Sequence, residues 1–282
     1  EPWPQFSAVK THLFGAQALP DSRYRFDPLG RLIADETKTP VDCPPQTARA
    51  PVLLVLGQSN AANHAGSRFR SDDGGRVVNF FEGRCYVAAS PLLGATDTNG
   101  EYWTELGNLM IASGQFDDVV IAPLAIDGSS VANWAEGGHL NELLIETLAF
   151  LDGAGYRPTE VPWHQGERDY VDGTMEDAYR DRFLSMVDTL RKHRVDAPVY
   201  VSIASKCLEP SHGGFKTHNA DNPVVRAQRA LPESSRGIVP GVDTDTLLDA
   251  LDRHDDCHFS GTGAAKVAAA WAERLLAGGA RQ

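Results

Sequence analysis

The sequence has no apolar run near the roughly 20 residues a helix needs to cross a bilayer, so no membrane span is expected. Basic residues are in deficit: 26 Lys and Arg stand against 38 Asp and Glu, for a formal net charge of −12. Duplex nucleic acid and anionic membrane surfaces reward clustered Lys and Arg, so neither is expected as the main partner. Cysteine is scarce, with Cys43, Cys85, Cys207 and Cys257 as the whole set and no C-x-x-C pair. A thiolate zinc site is therefore not expected, and the count alone suits two disulfides or four free thiols equally. No internal repeat or low-complexity stretch stands out, and no signal peptide is apparent. The chain opens at Glu1 with EPWPQF, the form expected of a mature or trimmed start.

What is present is ordinary globular material. The 282 residues are 42% hydrophobic and 23% charged, enough for one large domain with a substantial core. Residues 1–48, rich in Pro, Asp, Arg and Thr, are expected to form an N-terminal extension packed on a main domain, 49–282. In that domain short apolar runs alternate with longer amphipathic ones. Strands are predicted at 52–57, 77–81, 118–125, 159–165 and 198–204. Helices are predicted at 103–114, 139–155, 175–194 and 261–279. In the third, Tyr179, Phe183, Met186, Val187 and Leu190 recur at helical spacing and define one face. Strands alternating with helices imply an α/β fold with a parallel sheet covered on both sides. Ligands of such sheets bind beyond the carboxyl ends of the strands, so chemistry is sought there.

Those ends carry polar, small-residue blocks: GQSNAANH from Gly57, IDGSSVANW from Ile126, WHQGERD from Trp163, and DRHDDCH before the last helix. Ser59 alone reads most simply as a helix N-cap, and its surroundings are not G-x-S-x-G. The same turn would offer free N–H groups to an oxyanion. Asp255 lies three residues before His258 and can reach back to its Nδ1, leaving Nε2 to accept a proton; Asp256 is the alternative partner. Gly128 could give an N–H to the same oxyanion, or simply make a turn. Gln165 could donate its amide, and Glu167 is a nearby carboxylate that could equally pair with an arginine. His164, Glu167 and Asp169 are close in sequence, but no metal constellation is evident and no cofactor is expected.

Taken in order, GQSNAANH, IDGSSVANW, WHQGERD and DDCH resemble the four blocks of the SGNH hydrolase superfamily. The nearest branch is that of sialate O-acetylesterase-like proteins and the acetylxylan esterases of carbohydrate esterase family six, over roughly residues 51–277. The resemblance implies a three-layer α/β/α sandwich, flavodoxin-like, with five parallel strands. It implies Ser59 as nucleophile, His258 as base, Asp255 as orienting carboxylate, and Ser59 N–H, Gly128 N–H and Gln165 as oxyanion hole. Asn60 occupies the family's position after the serine, while Ala61 replaces a common Met.

With the blocks gathered on one sheet edge, bridges Cys207–Cys257 and Cys43–Cys85 become the expected cysteine pairing, which points to a secreted or periplasmic protein. The implied function is a serine esterase removing acetyl groups from a carbohydrate. An O-acyltransferase using the same triad and a non-catalytic glycan-binding domain are the alternatives. Asn60, His64, Trp134, Glu167, His139 and the loop 211–219 are expected near the substrate rim. Nothing in the pattern sets an oligomeric state.

Overall fold

The computed structural model describes residues 23–207, 210–211, 214–215, 218–234, 236–255 and 257–279. Its first elements are an antiparallel pair, β1 (Tyr24–Phe26) and β2 (Leu32–Asp35), followed by the two-residue β3 (Pro40–Val41). The strands β4 (Val52–Gly57), β5 (Val77–Phe81), β6 (Arg84–Val87), β7 (Val119–Ala125), β8 (Val161–His164) and β9 (Val199–Ile203) come next. A small hairpin, β10 (Pro210–Ser211) with β11 (Gly214–Phe215), precedes β12 (Ile238–Asp243). The helices are α1 (Trp103–Ala112), α2 (Val131–Trp134), α3 (His139–Gly153), α4 (Glu167–Asp172), α5 (Glu176–Lys192), α6 (Pro223–Ala230), α7 (Thr244–Leu247) and α8 (Gly261–Gly279).

The central sheet has the order β12-β9-β8-β4-β7-β5-β6-β3. The six strands from β12 to β5 run parallel; β6 pairs antiparallel with β5, and β3 pairs antiparallel with β6. Each of the five predicted strands and four predicted helices is present, but the sheet is larger than the five strands expected. β12 adds a sixth parallel strand, and β6 and β3 extend the opposite edge. β12 escaped notice because its sequence, IVPGVD, carries Pro240 and Gly241, which are tolerated at a sheet edge and mimic a loop. β6 is four residues and β3 only two, too short for a periodicity.

Buried side chains split by strand parity into two cores. Val52, Leu54 and Leu56 pack with Leu140, Leu144, Leu148 and Leu151 of α3 and with the expected stripe of α5. Leu53 and Val55 face the other way, toward Trp103, Leu106 and Met110 of α1 and Val267, Ala268 and Trp271 of α8. The result is helix, sheet, helix. β4 is entirely buried because both its faces are covered, which is why it reads as an unbroken apolar run. Disulfides join Cys43 to Cys85, tying the segment before β4 to β6, and Cys207 to Cys257. Among the described residues no helix is long and apolar enough to cross a membrane.

β4 lies between β7 and β8, where the chain, having built one half of the sheet, crosses to build the other. Such a reversal opens a crevice at the carboxyl ends, and that is where the conspicuous blocks converge.

Candidate active site

The Ser59 turn begins with a glycine whose backbone leaves no room for a side chain. Gly57 has φ +149°, and a Cβ there would lie 2.0 Å from the carbonyl oxygen of His164. Gly57 therefore lets β4 run tight against β8 before the chain breaks into the short turn Ser59–Ala61. The first amide used inside that turn is that of Ala61, which donates to Gln58 O at 2.9 Å. The Ser59 and Asn60 N–H groups precede it and have no acceptor within the turn. Ser59 is 2% exposed, at the floor of the sheet edge.

The histidine loop is closed on itself. His254 N–H donates to His258 O at 2.9 Å, Ser260 N–H to Asp252 O at 2.8 Å, and Arg253 bridges Phe259. Within it Asp255 Oδ2 accepts from His258 Nδ1 at 2.7 Å, while Oδ1 accepts from the backbone N–H of His258 at 2.6 Å and of Cys257 at 3.2 Å. A carboxylate on Nδ1 fixes the proton there and leaves Nε2 with its lone pair. Asp256 lies outside the described residues. Burial disfavours a charged His258, but the Asp255 hydrogen bond and the charges of Asp255, Asp127 and Glu167 outweigh it and raise the imidazole pKa. Asp255 is pushed up by partial burial, yet its hydrogen bonds to His258 hold it well below the usual carboxylate range.

Asn60 couples the two pieces. Its Nδ2 donates to Cys257 O at 3.2 Å and to Glu167 Oε1 at 2.7 Å. The residue after Ser59 is thus bonded to the residue before His258. Cys257 is further held by its disulfide and by Arg253 Nη1, which donates to the same carbonyl at 2.5 Å. Glu167 is 2% exposed and also lies 3.5 Å from His164 Nε2. Burial opposes its ionisation, but His164 and Asn60 together keep its pKa below the ordinary value. Tyr102 OH closes the chain on His164 Nδ1 at 3.2 Å.

Several expectations need correction. Asn60, Trp134 and Glu167 are not at a rim, because all three are buried. Trp134 packs edge-on against Trp163 and donates its indole N–H to Ser129 Oγ at 3.1 Å. Gln165 is wholly buried, and its two amide hydrogens face three acceptors: Asp169 Oδ2 at 2.6 Å, Ser129 O at 3.0 Å and Gln58 Oε1 at 3.2 Å. It braces the site and has no donor left for an oxyanion. His64 is buried too, but its ring stacks on His258 with centroids 4.8 Å apart. His139 is exposed at the start of α3. Of the loop 211–219, residues 212–213 and 216–217 lie outside the described residues; His218, near its end, bonds Ser205 Oγ through Nε2 at 2.8 Å. Gly128 sits half-buried in a turn with φ +65°, which favours glycine.

Two residues went unremarked in the sequence although each adjoins a residue that was noticed. Gln58 precedes Ser59; its Oε1 accepts from Arg168 N–H at 3.1 Å and Gly166 N–H at 3.4 Å at the start of α4. That pins the amide, and among the described residues its Nε2 has no acceptor. Asp127 precedes Gly128, is exposed, and places a carboxylate oxygen within 4.8 Å of imidazole nitrogens of His64 and His258. Their signal was position at a strand end, which deserved weight for whole blocks rather than single residues.

A covered parallel sheet with a serine turn, a carboxylate-backed histidine and amide donors at one edge defines an SGNH-type α/β/α hydrolase. Within that class the chain belongs to the family described as carbohydrate esterase, sialic acid-specific acetylesterase, whose model matches residues 49–277. The protein is accordingly a carboxylic ester hydrolase that removes O-acetyl groups from carbohydrate. Its fold is shared with a protein from Arabidopsis thaliana at 17% identity and TM-score 0.62, over 81% of this chain and 98% of that one. It is shared with NanS at 16% identity and TM-score 0.53, over 83% and 99%. A carbohydrate acetylesterase from Xanthomonas citri aligns at 17% identity and TM-score 0.52, over 81% of this chain and 56% of that one. No curated protein matches the chain by sequence.

Proposed function

We propose that the protein deacetylates carbohydrate hydroxyls through an acyl-enzyme on Ser59. Ser59 Oγ attacks the acetyl carbonyl while His258 Nε2 takes its proton. Asp255 holds the imidazole in the required tautomer and stabilises the imidazolium. The tetrahedral oxyanion takes hydrogen bonds from the N–H groups of Ser59 and Gly128 and from the Gln58 amide, in the place first assigned to Gln165. The sugar hydroxyl leaves with the proton from His258. Water then enters by the same route and releases acetate. The observation that supports this best is the 2.7 Å Asp255–His258 bond in a loop tied, through Asn60 and Cys257, to the turn that carries Ser59.

The substrate class follows the family: an O-acetylated sugar, of sialic acid or a polysaccharide. The two cystines suit an oxidising compartment, so the working location is secreted or periplasmic. The test is acetate release from an aryl acetate and from O-acetylated glycans, by wild type and Ser59→Ala. The variant should lose activity by ~10⁴-fold or more, as removal of a triad nucleophile does elsewhere. Full activity in Ser59→Ala would overturn the nucleophile.

A further inference from the structure

We propose that His64, Asp127 and His258 form a binding site for a divalent transition-metal ion, zinc foremost, and that filling it switches the esterase off. The three come from separate segments: His64 from beyond the Ser59 turn, Asp127 from the turn after β7, and His258 from the loop before α8. One ligand atom from each lies within 4.8 Å of the other two. Two imidazoles and a carboxylate are a donor set that zinc favours, with further positions left to water.

The second observation is how the imidazoles are backed. His64 Nδ1 lies 3.2 Å from Asp97 Oδ2, and His258 Nδ1 lies 2.7 Å from Asp255 Oδ2. Metal-bound histidines ordinarily have a carboxylate on the far nitrogen, which fixes the ring and makes the near nitrogen a better ligand. Each ring has its Nδ1 beside such a carboxylate here. The rings lie only 24° from parallel. Ligand atoms about 2.1 Å from a tetrahedral zinc stand roughly 3.4 Å apart, so some closure is required. Asp127 is the exposed member and closes on the imidazoles by a rotamer change, while the two stacked rings tilt toward one another. A rival trio, His254, Asp255 and His258, is less apt. Its His254 Nε2 is on His64 O at 3.1 Å, and both Asp255 oxygens are already in hydrogen bonds.

The switching part rests on His258 being the catalytic base, since coordination takes up the lone pair that would accept the serine proton. No bond to substrate forms or breaks; the ion simply competes for Nε2.

Binding and inhibition are measured separately. Zinc chloride is titrated calorimetrically into Ser59→Ala protein, alone and combined with Asp127→Asn, His64→Gln or His254→Ala. One ion per chain is expected, with affinity reduced at least tenfold by Asp127→Asn and by His64→Gln and unchanged by His254→Ala. Asp127 is on the surface, so its variant keeps the proposal testable should His64→Gln fail to fold. In wild type, zinc should slow acetate release at the same concentrations, and chelator should restore it. No binding below about 100 μM, or binding indifferent to both substitutions, overturns the site. Binding without inhibition overturns the switch and counts against His258 as base while leaving the site standing.

Discussion

Replacing Asn60 by alanine isolates the joint between the Ser59 turn and the histidine loop. The lost bond to Glu167, 2.7 Å long and made to a buried carboxylate, is of the charge-assisted kind and contributes about 1.5–3 kcal/mol. Glu167 would keep His164, at 3.5 Å, and its own backbone N–H. The second lost bond, to Cys257 O at 3.2 Å, costs less because Arg253 still donates to that carbonyl. Together the loss is about 2–4 kcal/mol, which a domain of ordinary stability survives. In a thermal melt it should appear as a fall of ~5–15 °C. Catalysis should suffer separately, because Ser59 and His258 lose their shared tether. A kcat reduced ~10–100-fold with KM little changed is expected on an aryl acetate. A variant as stable as wild type refutes the energetic assignment. A destabilised variant with wild-type kcat refutes the joint, leaving Asn60 a purely structural residue.

The raised His258 pKa predicts an acid limb above the ordinary imidazole value, since the base must be neutral to accept a proton. Asp127→Asn removes one of the charges that raise it, so the limb should move to lower pH; rates from pH 5 to 9 with chelator present check this, and a static limb would exclude that coupling. Gln58→Ala should lower kcat ~10²–10³-fold if its amide meets the oxyanion, with KM spared; an unchanged kcat removes Gln58 from the hole. Gly57→Ala places a Cβ 2.0 Å from His164 O at φ +149°, so the variant should lose at least ~3 kcal/mol by denaturant titration or fail to fold, and near-normal stability would show that β4 and β8 can separate there.

Much of the fold was legible because each buried strand and helix carries its period in the chain. VLLVLG is apolar throughout because both faces of β4 are covered, and the stripe from Tyr179 to Leu190 lies against the sheet as its spacing required. β12 was not legible, since Pro240 and Gly241 follow edge-strand tolerance rather than any period. In the site, Asp255 and His258 were readable as a pair because they share one loop and three residues suffice for the contact. Gln165 was misread because residue type says what an amide can donate, never which acceptors stand around it. Rim and core were confused for Asn60, Trp134 and Glu167 for the same reason: polarity in a strand-end block reports proximity to the edge, not exposure.

By itself the sequence determined the class of fold, the segments that meet at one sheet edge, and the chemistry those segments can carry. These are matters of local period and residue type. Only the tertiary structure decided which donors are already spent, which carboxylate lies beneath the serine turn, and which three side chains stand close enough to share an ion. Those depend on contacts such as Asn60 with Glu167 and with Cys257, 107 and 197 residues apart in the chain, which the packing of the whole sheet sets.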